Sequence, residues 1–466
     1  MKETWATSAG LDLHLDMSGA GVRRSLEAAL REAVRSGRLA AGTSLPSSRA
    51  LAEDLGIARN TVVDAYGQLV AEGWLAARHG SGTWVAERTG PPAVTPSARP
   101  AARVPAIRYD LRPGVPDVSA FPRAAWLAAA RRALATAPAR ALSYNDPRGL
   151  QPLREALAGY LARARGVAVT PERIVVCAGY AQGLELLAQV LRAKGTSRLA
   201  VEAIGLPAHW RIVTGGGLAL RPIAVDAGGA VVSELTDEGA VALTPAHQFP
   251  LGVALEPRRR REVVDWAAAT GGLVIEDDYD GEFRYDRQAV GALQSLAPEH
   301  VAYAGTASKS LVPGLRLGWL VLPGNLVGDV VAAKQAAGRL SSSLDQLTLA
   351  EFIESGGYDR QVRRARLAYR RRRDRLVAEL ARRAPQVRVT GIAAGLHALV
   401  LLPPGADEDA VVAEGARRGL ALQGLTEFSA GTQPHDPAVI VGYATPPGHQ
   451  FTTAVARLCA VLREVT

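Results

Sequence analysis

Near the N-terminus, apolar residues recur at helical spacing in three short stretches, Val22 to Ser36, Ser47 to Leu55 and Arg59 to Glu72. In the third, Val62, Tyr66 and Leu69 fall on one face and belong to a core, while Arg59, Asn60 and Thr61 stand at its N-terminal end. Ser47, directly after Pro46, is placed to cap the second helix. Gly56 breaks the chain before the third, so Gly56 to Ala58 reads as the turn. From Gly73 the pattern changes to alternation, and WLAARHGSGTWVA, folded about Gly80 and Gly82, predicts a two-stranded hairpin. Helices followed by a hairpin predict a winged helix-turn-helix over residues 1–88, mainly α with a β-wing.

The next stretch, Thr89 to Ile107 (TGPPAVTPSARPAARVPAI), is rich in proline and alanine and lacks apolar periodicity, so residues 89–108 read as an extended, semi-rigid linker. Beyond it, short apolar runs at Ile174 to Cys177, Leu199 to Glu202, Leu273 to Asp277 and Leu317 to Leu322 alternate with helical stretches such as Gln182 to Arg192. That alternation predicts a large α/β domain with a mostly parallel sheet over residues 109–466. A chain of 466 residues is too long for one ordinary core, which agrees with a small domain beside a large one.

Composition narrows the class. With 48% hydrophobic and 21% charged residues the chain is globular rather than disordered. No run reaches the roughly 18 apolar residues of a spanning helix. Met1 to Gly10 carries no apolar core behind a basic head, so a cytoplasmic protein without membrane partners is expected. Cys177 and Cys459 stand far apart outside any CxxC pattern, so neither a disulfide framework nor a metal site is expected.

The net charge of +9 suggests nucleic acid, but residues 1–88 hold ten Lys/Arg and ten Asp/Glu. The excess lies in Asp359 to Arg383, where eleven arginines face three acids on a long predicted helix. A solvated arginine face is the favoured reading there, ahead of a DNA track. Direct DNA contact is instead expected from Arg59, Asn60 and Thr61 in the major groove. Arg49 would reach a phosphate or guanine, and His79 with Gly80 at the wing tip would approach the backbone or minor groove.

The segment YAGTASKSLVPGLRLGWL puts Thr306, Ser308, Lys309 and Arg316 within a few residues after a predicted strand. A lysine among small residues near a fixed cation has its amine pKa lowered, and hydroxyls with an arginine can hold a phosphate. In LVIEDDYDGEFRY, Asp277 and Tyr279 suit a carboxylate paired with a ring nitrogen and a phenol near a ring oxygen, with Asp278 as rival carboxylate. The strand Ile174 to Cys177 runs through Gly179 into a helix, offering backbone N–H groups to a phosphate.

RSGRLAAGTSLPSSRALAEDLGIARNTVVDAYGQLVAEGWLAARHGSGTWVA resembles the GntR-family winged helix almost throughout. With TPAHQFPLG, DLRPGVPDVSAFPRAAW, SYNDPRGLQPLREALAGYLARARGV and AAGLHALVLLP, the large domain resembles fold-type I aminotransferases. Together the two parts resemble the MocR subgroup of GntR regulators, also called the GabR or PdxR type. The resemblance implies pyridoxal 5'-phosphate (PLP) as cofactor, with Lys309 as Schiff-base lysine, Asp277 as pyridine-nitrogen partner and Tyr279 beside the ring hydroxyl. Thr306, Ser308 and Arg316 would hold the phosphate beside the Gly179 turn, Tyr180 would stack or fill space in the cofactor site, His247 and Gln248 would line the ring, and Tyr144 would reach the cofactor of the partner subunit. It further implies a homodimer with a domain-swapped arrangement, a double-stranded DNA operator, and an effector that is PLP or an amine or amino acid.

Several positions depart from the family pattern. Ala58 stands where relatives carry Ser or Thr, Tyr180 and Ala181 replace a hydroxyl and a glutamine, and Leu206 stands where relatives have a ring-stacking aromatic residue. No arginine occurs between Arg418 and Arg457, so PAVIVGYATPPG lacks the carboxylate clamp of working aminotransferases. The expectation is a PLP-dependent regulator, PdxR-like in vitamin B6 control, with weak transaminase activity at most. The alternatives are an active aminotransferase with an autoregulatory DNA-binding domain and a cofactor-free repressor.

Overall fold

The computed structural model describes residues 5–8, 11–14, 21–78, 82–87, 107–285, 290–338, 340–431 and 433–465, the first two segments as backbone only. The chain divides into two compact units, Met1–Ala102 and Arg103–Thr466.

In the small unit, strands β1 (Trp5–Ser8) and β2 (Leu11–His14) pair antiparallel and precede three helices, α1 (Val22–Arg35), α2 (Ser48–Leu55) and α3 (Arg59–Ala71). The expected caps are present. Ser47 accepts from the Ala50 N–H, and Gly56 closes α2 in the left-handed region at φ 64°. Leu26, Leu30, Leu51, Leu55, Val62, Tyr66 and Leu69 form one core, and burying those stripes, rather than propensity, holds helices this short. Strands β3 (Leu75–Arg78) and β4 (Gly82–Val85) pair antiparallel as the expected hairpin.

The large unit is built on a seven-stranded sheet of β5 (Ile174–Cys177), β6 (Arg198–Glu202), β7 (Ala219–Ile223), β8 (Ala240–Leu243), β9 (Leu273–Asp277), β10 (Val301–Thr306) and β11 (Gly318–Val321), in the order β5-β11-β10-β9-β8-β6-β7. All neighbours are parallel except β11, which runs antiparallel to both β10 and β5. Strands such as β5 are apolar and buried throughout because helices cover both faces. One of these is α4 (Tyr180–Ala193). Helix α5 (Pro207–Gly215) follows β6, and the long α6 (Gly357–Arg383) leads to a second, antiparallel sheet that includes Ala438–Val441.

The arginine-rich α6 is more firmly attached than a solvated face. Arg372 is nearly buried, pairs with Asp117 at 2.7 Å and donates to the carbonyls of Ala444 and Pro446. Arg366 donates to the Glu282 carbonyl, while Arg370 and Arg382 are more than half exposed. Tyr358, Val362, Tyr369, Leu376 and Leu380 lie on the buried side.

Among the described residues no helix is long and apolar enough to cross a membrane, and no group of three or more His, Cys, Asp or Glu is placed to hold a metal ion.

Candidate functional site

In the small unit, Arg49, Arg59 and Asn60 are exposed and Thr61 is half-buried at the start of α3. The Tyr66 hydroxyl donates to the Pro46 carbonyl at 3.0 Å, and Arg31 pairs with Glu72 at 2.7 Å, so α3 is fixed against both preceding helices. Ala58 caps α3 without any side-chain hydrogen bond, which leaves first-turn N–H groups open to an anion. His79 and Gly80 lie outside the described residues.

The large unit holds a cavity of about 430 Å³ at the C-terminal ends of β6, β8, β9 and β10, where open α/β sheets bind ligands. Sheet topology brings its chemistry together. The antiparallel turn from β10 into β11 carries Lys309 and Arg316, and β9, beside β10, ends on Asp277. Asp277, Tyr279, Thr306, Ser308, Lys309, Arg316, Gly179 and Tyr180 all line the cavity. Arg316 holds a left-handed backbone at φ 50°, and its Nη1 would lie 3.8 Å from a Cβ at Gly179, itself at φ 97°. A small anion fits that corner, between the α4 N-terminus, two hydroxyls and a guanidinium.

Burial pulls the Lys309 amine below its ordinary value, against the opposing pull of Asp277 and Asp280, and a neutral amine is the nucleophilic form. Burial drives the Asp277 carboxyl well above its usual range despite Lys309. Lys309 also donates to the carbonyl of Gly114, in a strap that Thr445 holds through the Arg112 and Val115 carbonyls at 2.7 and 3.0 Å. Asp278, the rival carboxylate, is not on the cavity wall. It pairs with Arg165 at 2.6 and 2.9 Å and accepts from the Tyr303 hydroxyl at 2.8 Å.

Three expected residues stand elsewhere. His247 and Gln248 do not reach the wall. His247 packs behind Tyr279, and the Gln248 amide is used by Glu202, the Ile204 carbonyl and the Phe249 carbonyl. Tyr144 is 96% exposed and lies outside the cavity.

The cavity also contains groups that sequence reasoning missed. Glu202 ends β6 on the wall, bonded to the Thr244 hydroxyl at 2.6 Å, and burial raises its carboxyl to about 7. An acid closing a buried apolar run was the available signal. His209 packs on Tyr180 at 4.6 Å, and burial with Lys309 lowers it to about 4, so an uncharged aromatic pair stands beside Leu206. Among the described residues the wall carries Lys309 and Arg316 as its cations. Ile440, on the strand expected to lack the clamp, is buried among Ile204, Leu399 and Phe428.

Comparison with known proteins covers both units. Residues 23–85 match the bacterial regulatory proteins of the gntR family, and residues 113–430 match aminotransferase class I and II. The chain is 34% identical over 419 residues to the HTH-type pyridoxine biosynthesis transcriptional regulator PdxR of Corynebacterium glutamicum, covering 89% of this chain and 90% of that one. It is 32% identical to the probable rhizopine catabolism regulatory protein MocR of Rhizobium meliloti, over 77% of this chain and 76% of that one. In fold, it is similar to an archaeal alanine:glyoxylate aminotransferase, with a TM-score of 0.70 and 24% identity over 77% of this chain and 91% of that one.

Proposed function

The chain belongs to the MocR-type transcriptional regulators, in which a GntR-family helix-turn-helix is joined to an aminotransferase class I and II domain, and from that premise we propose that it is a PLP-dependent regulator whose large unit senses the cofactor. The observation that supports this reading is the convergence of Lys309, Asp277, Tyr279, Thr306, Ser308 and Arg316 on one cavity.

The donor set fits PLP group by group. Arg316, Ser308, Thr306 and the first N–H groups of α4 would hold the phosphate, and Tyr180 with His209 would cover the ring. When bound, PLP supplies an aldehyde carbon open to amines and a ring that withdraws electrons. Lys309 would be its attachment point, with burial favouring the uncharged amine. Burial disfavours the ionised form of Asp277, and a cation beside it would drive the carboxyl toward that form.

The specificity proposed is PdxR-like, for PLP or a related amine. A substrate carboxylate needs a cation of its own, and Lys309 and Arg316 are already assigned. That counts against the alternative of a working aminotransferase.

Double-stranded DNA would be read by Arg59, Asn60 and Thr61, with Arg49, His79 and Gly80 on the flanks. A homodimer would cover Leu127, Leu134, Leu142 and Leu344, exposed beside Tyr144 on elements that pack together, and would carry Tyr144 toward the partner's cavity.

The deciding experiment is the visible absorption of the purified protein with added PLP, wild type beside Lys309→Ala, before and after borohydride. A reducible band in wild type alone supports the reading. Its absence from both removes the sensing mechanism and leaves a dimerisation scaffold.

A further inference from the structure

Behind the cavity wall, Tyr279 belongs to a buried cluster that the proposed function leaves unused. The Tyr279 hydroxyl lies 3.1 Å from His247 Nδ1, and the same nitrogen lies 2.8 Å from Asp280 Oδ2. Two oxygens share one ring nitrogen. An imidazole nitrogen either donates its single hydrogen or accepts through its single lone pair, and a carboxylate only accepts. The contact with Asp280 therefore requires hydrogen on Nδ1. That hydrogen faces both oxygens, so Nδ1 cannot accept the phenolic hydrogen of Tyr279, which is left to the Asp280 carboxylate that also faces the phenol or to an acceptor in the cavity.

The surrounding groups support this assignment. The ring of His397 stands 5.2 Å from that of His247, and its Nε2 meets the Pro250 carbonyl at 3.2 Å. Burial lowers His397 to about 3, so it places no positive charge beside Asp280. Phe249 meets the rings of Tyr279 and His397 edge-on, and the Tyr443 hydroxyl is occupied by the carbonyls of Ala394 and Gly395. Asp277 and Lys309 face Tyr279 from the cavity side. A Cβ at Gly395, which sits at φ 76°, would stand 2.3 Å from His247 Cε1 and 2.5 Å from Asp280 Oδ2. Glycine is required there for the pair to form, which gives the AAGLHALVLLP segment a role beyond packing.

We propose that His247 and Asp280 are a positioning pair that holds Tyr279 as a hydrogen-bond donor into the cavity, aimed at a ring oxygen of a bound aromatic aldehyde cofactor. The pair acts through the phenol and touches no ligand. The ligand half of this statement rests on the PLP reading; the tautomer half does not.

The test starts on full-length protein labelled with [15N]histidine and without added PLP, the His247 signals being assigned by their loss in His247→Asn. Hydrogen on Nδ1 is expected in wild type, and a shift toward hydrogen on Nε2 alone in Asp280→Asn. The opposite tautomer in wild type overturns the proposal. With PLP bound, the pH midpoint of the Lys309-dependent band should move by about one unit or more in His247→Asn. It should show no further movement when His247→Asn is added to Tyr279→Phe. An equal shift in the Tyr279→Phe background, or no shift at all, overturns action through the phenol. If wild type forms no such band, the PLP reading falls, and the tautomer alone decides for or against the pair.

Discussion

In the small unit, Arg49, Arg59 and Asn60 are exposed, and the buried polar residues among those described are Ser25 and Glu27. In the large unit, Glu202, His247, Asp277, Asp278 and Asp280 are all buried, and burial lowers Lys309 and raises Asp277. A reader of a charged polymer needs side chains projecting into water, where counterions and phosphates exchange. A site that captures one small molecule needs groups already stripped of water, whose protonation the fold has set. The two kinds of site differ in what mutation should do to them, and that difference can be tested.

The largest effect is expected from Lys309→Ala, which should abolish the reducible PLP band while leaving operator binding without PLP at the wild-type level, measured by absorption and fluorescence anisotropy. Loss of DNA binding in that variant would show that the units are not chemically separable. Next, Arg165→Leu leaves Asp278 buried and unpaired and should destabilise the large unit by about 3–5 kcal/mol in denaturant unfolding. Arg59→Ala should cost about 1–3 kcal/mol of specific operator binding with bound PLP unchanged. Unaltered operator affinity would remove Arg59 from the reader. Ser47→Ala should lower the stability of the small unit by about 1 kcal/mol through the lost N-cap.

The smallest effect is in pH dependence, and its sign should differ between the units. Glu202, raised to about 7, keeps a proton in the folded state that the unfolded chain has already released. Its contribution is therefore present below the ordinary carboxyl range and lost as pH rises through about 7. Glu72, held at about 2 by Arg31 and Gln68, contributes above the ordinary range and loses that contribution as pH falls toward 2. Glu202→Gln should flatten the stability of the large unit between about pH 5 and 7.5, a range bounded by these two protonation states. An unchanged slope would mean that Glu202 does not carry it.

Much of the architecture could be read from local pattern. Ser47, Gly56 and the stripe Val62, Tyr66 and Leu69 define the helices of the small unit because capping and amphipathic burial act over a few residues. Short runs such as Ile174–Cys177 and Leu273–Asp277, apolar throughout or up to their closing acids, likewise marked buried strands of the sheet. Lys309 and Arg316 could be singled out because they share one short segment with Thr306 and Ser308.

What sequence could not decide depended on contacts between distant segments. Nothing local separates Asp277 from Asp278. Arg165, more than a hundred positions away, takes Asp278, and the sheet turns Asp277 to the cavity. His247 looked like a wall residue until Asp280 and Tyr279 placed it behind the wall. Arg372 was one of eleven similar arginines until the fold brought Asp117 to it. Periodicity and capping are short-range and written in neighbouring residues, whereas choosing the ionised partner of a buried charge requires both desolvation and a second chain segment, which exist only once the sheet has closed.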